Sequence, residues 1–361
     1  MPSTFVVTSS DEFENAARNE LRRYDSKLKL GETLQPGLFL VSSQLAWDDF
    51  AAIVGQDPPI FARHLFPVHA TVPLDKTQAD LDVMAEAVSG LPRLDELSED
   101  TPFSVQARLF EEVEGQQLSY AYTPFAIKEK LAGVIAEKTG AVENIREPLE
   151  ILSVVGSQGK AYIGLSPVEL NLSGWAGGMR RFAKRDEQIS RAELKLQEAL
   201  EVFEVEFPVG GDALDLGAAP GGWTRLLLEA GLHVTAIDPA ELDPRLQKYA
   251  EAGQLSHYQG HAERFLQNAL ADKSRLGSYA VLVSDLRMDA NLAAGLLVSY
   301  APLLSPDGLA ITTLKLPHES PKVKPAHLVE QALAILRKTY PRLQGRQLFH
   351  NRSEITVLLK K

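Results

Sequence analysis

Cysteine is absent from all 361 residues, which excludes disulfides, thiolate metal sites and cysteine nucleophiles, and with them several classes of enzyme. Histidine is scarce as well: the eight present show no metal-ligand spacing, so no bound metal is expected. No apolar run approaches the length that spans a bilayer, and the first twelve residues lack a basic start followed by an apolar stretch. A cytoplasmic chain without a membrane partner is expected. Positive charge is also in deficit, 37 Lys and Arg against 48 Asp and Glu, which argues against a protein that coats nucleic acid. The deficit is uneven. Asp75 to Glu114 holds 11 acidic and 3 basic residues, whereas Ile311 to Lys361 holds 10 basic and 3 acidic. An acidic module beside a basic one still leaves RNA a place to bind.

A chain this long exceeds what one hydrophobic core usually organises, so several domains are expected. Phe5 to Thr8 reads as a strand, and Ser9-x-x-Glu12 as a capping box opening a helix with Phe13, Ala16, Ala17 and Leu21 on one side. Pro58, Pro59 and Pro67 end this small α+β unit, placed at residues 1–70. The next module, 71–173, is predicted as strand (Phe103 to Leu109), helix, strand, strand. Its helix carries Ile127, Leu131, Val134 and Ile135 and stops near Gly140; Gly156-Ser157-Gln158-Gly159 turns Leu149 to Val155 into Ala161 to Leu165. Residues 174–189 read as a linker with a basic surface, from Gly174, Gly177 and Gly178 through Arg180, Arg181, Lys184 and Arg185. From there to residue 361, helices alternate with apolar runs at Ala213 to Leu216, His233 to Ile237, Ala280 to Ser284 and Gly308 to Leu314. That alternation predicts an α/β domain around a parallel, Rossmann-like sheet.

The chemistry concentrates at Ala213-Leu-Asp-Leu-Gly-Ala-Ala-Pro-Gly-Gly-Trp-Thr224, a strand that ends in a Gly-rich turn opening a helix. Small residues there let the backbone approach a ligand, and a helix N-terminus offers N–H groups to an anion. A dinucleotide fingerprint needs glycine two positions after Gly217, where Ala219 stands, and the P-loop Lys-Ser/Thr pair is missing. The next strand ends in Asp238, 21 residues after Gly217, placed to accept hydrogen bonds from both hydroxyls of an adenosine ribose. Gly217, the Pro220-Gly221-Gly222 turn and Asp238 together favour S-adenosyl-L-methionine over NAD.

The same segment resembles the cofactor loop of the FtsJ-like family of RNA 2′-O-ribose methyltransferases. Further pieces fit that family in order: Ser190-Arg-Ala-Glu-Leu-Lys-Leu196, Ser284-Asp285, Leu314-Lys-Leu-Pro317 and Arg352-Ser-Glu-Ile-Thr-Val357. The resemblance implies a catalytic Lys-Asp-Lys-Glu tetrad at Lys195, Asp285, Lys315 and Glu354. It also implies cofactor contacts from Ser190, Ala219, Pro220, Gly221, Gly222, Asp238 and Asp285. Within the family, Leu314-Lys-Leu-Pro317 and Gln347-Leu-Phe-His-Asn-Arg-Ser-Glu354 point to the members that methylate a cytidine ribose in 23S rRNA. The upstream strand-helix-strand-strand order resembles a THUMP domain, an RNA-binding module. One position departs: where the family usually has an acid that contacts adenine, Gly260 is followed by His261.

The tetrad also makes chemical sense by itself. A ribose hydroxyl is a poor nucleophile until a base takes or holds its proton. Lys315 is the candidate base, Lys195 a neighbouring cation, and Asp285 and Glu354 the groups that orient both lysines. An alternative reading is an RNA-binding or ribosome-assembly protein whose methyltransferase domain has lost its chemistry. Two lysines and two acids at strand ends weigh against it, and the Asn/Asp-Pro-Pro-Tyr/Phe motif expected of base methylation is absent.

Overall fold

Period-two burial builds the first layer. β1 (Ser3–Ser9) turns Phe5 onto Trp47 and Phe50, with ring centroids 5.4 and 4.6 Å away. Its neighbour Val6 points the other way, into a cluster with Leu38, Phe66, Val155 and Tyr162. The computed structural model describes residues 3–110, 119–183, 185–318 and 323–361. After β1 come α1 (Glu14–Leu21), β2 (Lys29–Gln35), β3 (Leu38–Ser43), α2 (Trp47–Gln56) and β4 (Ala62–Pro67), which form an antiparallel sheet of order β2-β3-β1-β4. Phe13, Ala16, Ala17 and Leu21 are buried as expected, but the capping box is not formed. Ser9 is the last residue of β1, its N–H donates to the Gly37 carbonyl, and α1 begins only at Glu14 with Phe13 as its N-cap, so Ser9 does not stand at the helix start.

A second four-stranded sheet follows from β5 (Ala70–Pro73), α3 (Asp80–Ser89), β6 (Phe103–Leu109), α4 (Pro124–Thr139), β7 (Glu150–Ser157) and β8 (Lys160–Pro167), in the order β5-β8-β7-β6. The predicted strand-helix-strand-strand order is present, with β6 parallel to β7 and β7 antiparallel to β8. Thr123 caps α4 by accepting from the Ala126 N–H, and Gly140 ends it at φ 75°. The β7–β8 turn is only Gln158-Gly159, both at positive φ, so Gly156 belongs to the ladder. The chain divides into two compact units between Arg180 and Arg181.

The second unit holds α5 (Glu193–Val202), β9 (Asp212–Leu216), α6 (Gly222–Glu229), β10 (His233–Ile237), α7 (Gln247–Glu251), β11 (Leu255–Tyr258), α8 (Ala262–Ala271), β12 (Tyr279–Ser284), α9 (Ala290–Tyr300), β13 (Leu304–Lys315), α10 (Pro325–Arg337), β14 (Arg342–Arg346) and β15 (Glu354–Lys360). The seven strands lie in the order β11-β10-β9-β12-β13-β15-β14. The first five are parallel, and β15 enters antiparallel to both neighbours. The strand order reverses between β9 and β12. At such a switch point successive crossovers leave on opposite sides, and a crevice opens beyond the carboxyl ends of the strands. α5 and α6 cover one face through Leu196, Ala199, Trp223 and Leu227, packed on Val234, Val281, Ile311 and Leu358. No helix among the described residues is long and apolar enough to cross a membrane.

Candidate active site

Strand register explains how distant residues meet. β12 and β13 run parallel with Ser284 beside Thr312, so Asp285, the next residue, comes level with Thr313, whose Oγ1 donates to Asp285 Oδ1 at 2.6 Å. Two residues on, along the same face of β13, Lys315 is paired directly across the antiparallel ladder with Glu354. Its Nζ donates to Asp285 Oδ1 at 2.5 Å and to Glu354 Oε2. From α5, Lys195 Nζ closes the ring, 3.0 Å from Asp285 Oδ2 and 2.7 Å from Glu354 Oε1. The four residues named from the sequence therefore form one alternating quartet, with two ammonium groups and two carboxylates. Glu354 is the most buried and Lys315 the most accessible, with side chains 5% and 26% exposed.

The electrostatics follow from that order. Burial disfavours the charged form of Lys195, but Asp285 and Glu354 outweigh it and hold its pKa above the ordinary lysine value. Burial likewise would raise Asp285, yet Lys315 and Lys195 keep its carboxyl below the usual range. Asp215, at the end of β9, lacks such cations. Burial, with Asp285 and Asp238 nearby, pushes it up to about 7 against the opposing hydrogen bond from Thr224 Oγ1 at 2.6 Å.

The glycine loop lies at the switch point. Gly217 follows β9 at φ 76°, and a Cβ there would come within 2.8 Å of Leu286. Gly221 stands at φ 110° before α6, where a Cβ would collide with Leu246. The Ala219–Pro220 peptide is cis. Asp238 is tied to the loop: Oδ2 accepts from the Ala219 N–H at 3.1 Å and Oδ1 from the Ala240 N–H at 2.8 Å. Gly260 N–H donates to the Asp238 carbonyl, which sets His261, at the N-cap of α8 with an exposed side chain, next in line. Ser190 Oγ is buried without a hydrogen-bond partner, 2.4 Å from where a Cβ on Gly222 would stand.

Several residues here escaped the sequence reading. Glu193, 1% exposed, accepts the Ile189 and Ser190 N–H groups and is paired with Arg225 of α6, which fixes Ser190 against Gly222. Its place three residues after Ser190 has capping-box spacing, a signal that was there to be read. Glu198, also buried, accepts the backbone N–H groups of Phe349 and His350 at 2.8 and 2.9 Å. It ties the segment leading to Glu354 onto the helix that carries Lys195, and nothing in the sequence marks it. Among the described residues no His, Asp and Glu cluster suited to a metal ion is present.

A profile of the family described as FtsJ-like methyltransferase matches residues 188–341, a span that includes the glycine loop and three of the quartet. The chain is similar to the ribosomal RNA large subunit methyltransferase M of Shewanella denitrificans, with 30% identity over 86% of this chain and 82% of that protein. The enzyme of the same name from Shewanella sediminis is 30% identical over 86% and 84%. That from Halorhodospira halophila is 38% identical over 55% of this chain and 54% of its own length.

Proposed function

From the premise that the chain belongs to the ribosomal RNA large subunit methyltransferase M family and carries its FtsJ-like methyltransferase domain, we propose that it methylates a cytidine ribose 2′-hydroxyl in 23S rRNA. S-adenosyl-L-methionine is the methyl donor, and the cytoplasm the place. The observation that carries this reading is the Lys195–Asp285–Lys315–Glu354 quartet at the carboxyl end of the sheet, next to the glycine loop.

The loop residues fit the cofactor. Ser190 Oγ, against Gly222 at the start of α6, is an unsatisfied buried polar atom, and the Asp238 carboxylate retains acceptor capacity beyond its two backbone bonds. Ser190, Gly217, Ala219, Pro220, Gly221, Gly222, Asp238, His261 and Asp285 would hold it, and when bound it supplies an electrophilic methyl group. The protein's own task is to prepare the oxygen. Lys195, whose charge is stabilised by two carboxylates, stays the fixed cation, while Asp285 and Glu354 orient the more accessible Lys315. In its neutral form Lys315 Nζ takes the hydroxyl proton as the oxygen attacks, and the quartet returns to balanced charge. The 71–173 module, as a THUMP-like domain, and the basic segment 174–189 position the RNA. Arg180 of that segment stacks on Trp175 with 4.2 Å between guanidinium carbon and ring centre; Lys184 lies outside the described residues.

Mass-spectrometric mapping of ribose methylation in rRNA tests the reading. Cells lacking the protein should lose one 2′-O-methyl group, restored by the wild-type chain and not by Lys315→Ala. An unchanged map from cells whose rRNA still binds the protein would assign it to RNA binding or ribosome assembly instead.

A further inference from the structure

The far end of the catalytic sheet holds a second constellation of charge. Arg342 and Lys360 are direct cross-strand partners between β14 and β15. Like charges placed opposite each other on one face of a sheet destabilise it. Neither has a carboxylate partner among the described residues, and both are exposed. They line a cavity of about 380 Å³ together with Gln344, Leu358 and Phe203, the C-cap residue of α5. Register places this cavity on the same face of the sheet as the quartet, because Glu354, Leu358 and Lys360 alternate to one side of β15. Six residues of strand separate Glu354 from Lys360, about 20 Å at the usual rise.

We propose that this cavity is a phosphate-binding subsite for the RNA strand, in which Arg342 and Lys360 hold a backbone phosphate. Gln344 and the apolar floor of Leu358 and Phe203 carry the adjoining sugar. The inference rests on the RNA methyltransferase reading and deepens it. Two unpaired cations on one rung, facing a concave and partly apolar wall, match a phosphodiester with its attached ribose. The phosphate so held belongs to a nucleotide a few steps from the target. The pair belongs to residues 311–361, where basic residues outnumber acidic ones although the molecule as a whole is acidic.

The test uses the full chain with Arg342→Ala, Lys360→Ala and the double variant. Binding to a 23S rRNA fragment is followed by fluorescence anisotropy over a salt series, and methyl transfer is measured at saturating RNA. Each single change should weaken RNA binding several-fold and make the slope of log affinity against log salt shallower by roughly 0.7 to 0.9. Turnover at saturating RNA and affinity for S-adenosylmethionine should stay at wild-type values, since the quartet is far away. Wild-type affinity and slope in the double variant, with methyl transfer intact, would overturn the proposal and leave the pair as guards of an exposed sheet edge. So would cytidine monophosphate binding that the double variant abolishes while RNA affinity is unchanged, for the cavity would then take a free nucleotide. If the wild-type chain itself neither binds nor methylates rRNA, it is the methyltransferase reading that fails.

Discussion

Lys315 is asked both to balance two carboxylates and to receive a proton, and substitution separates these tasks. Lys315→Arg keeps the charge but cannot act as a base near neutral pH. Both Lys315→Arg and Lys315→Ala should lower turnover by roughly 10²- to 10⁴-fold while cofactor and RNA affinity change little. Near wild-type turnover in the arginine variant would make Lys315 a positioning cation. Asp215 gives a prediction in pH. Its folded-state pKa of about 7 lies above its ordinary value, so between roughly pH 4 and 7 the folded chain binds more protons than the unfolded one. Stability therefore declines as pH rises through that window. Asp215→Asn removes this titration and still accepts the Thr224 hydroxyl, so its melting temperature should gain on the wild type as pH rises from 4 to 7. Parallel melting curves across that range would show that Asp215 does not titrate there. Sequence motifs named Asp215 but gave no hint of its charge state, which depends on burial and on two acids brought near by folding.

Among the elements, α5 does more than cover the sheet. One turn beyond Lys195 it presents Glu198 to two backbone N–H groups of the segment before Glu354. Glu198→Ala leaves both donors without these acceptors and should cost about 2 kcal/mol of stability. It should also lower turnover, by up to roughly 10²-fold, because Lys195 and Glu354 then lose their common anchor. Affinity for S-adenosylmethionine, set by the glycine loop and Asp238 rather than by the segment that Glu198 anchors, should hold. Equal losses in cofactor affinity and turnover, measured by calorimetry and single-turnover kinetics, would reduce Glu198 to a general stabiliser. The buried strands β9, β10, β12 and β13 were legible as apolar runs, but β2 and β14 were not. Both are edge strands with polar, half-exposed sequences, Lys29–Gln35 and Arg342–Arg346, and edge strands need no apolar alternation to be held in a ladder. The helix Asp80–Ser89 was hidden by the surrounding acidic residues, although Met84, Ala85 and Val88 are buried on one side of it.

Across the whole molecule, the proposed function asks an acidic chain to bind an acidic polymer. Reversing the charge of Arg180, Arg181 and Arg185 should weaken RNA binding and flatten its salt dependence, with the methyl-transfer step on bound RNA unaffected. Affinity unchanged over a salt series would leave this segment a solvated connector. Part of it is firmly built. Gly177 and Gly178 are buried at positive φ, and the Gly177 carbonyl accepts from Thr8 Oγ1 at 2.9 Å, so residues before Arg180 belong to the first unit's packing.

What the sequence alone determined is local in character. The period of its apolar residues marked the central strands and their helices, and the spacing of Gly217, Pro220, Gly221, Gly222 and Asp238 marked a turn that lets a ligand approach. Resemblance nominated Lys195, Asp285, Lys315 and Glu354. Periodicity says which face of a strand is buried and is silent on which strand lies beside it. Only the tertiary structure decided that β12 adjoins β13 and that β15 inserts antiparallel beyond it. Three of the four ion pairs of the quartet span 90, 30 and 39 residues of chain, and the fourth joins Lys195 to Glu354. Their loop-closure entropy is offset not by the pairs themselves but by the buried sheet that carries them. The same register set Arg342 opposite Lys360, a juxtaposition of like charges that no local pattern foretells.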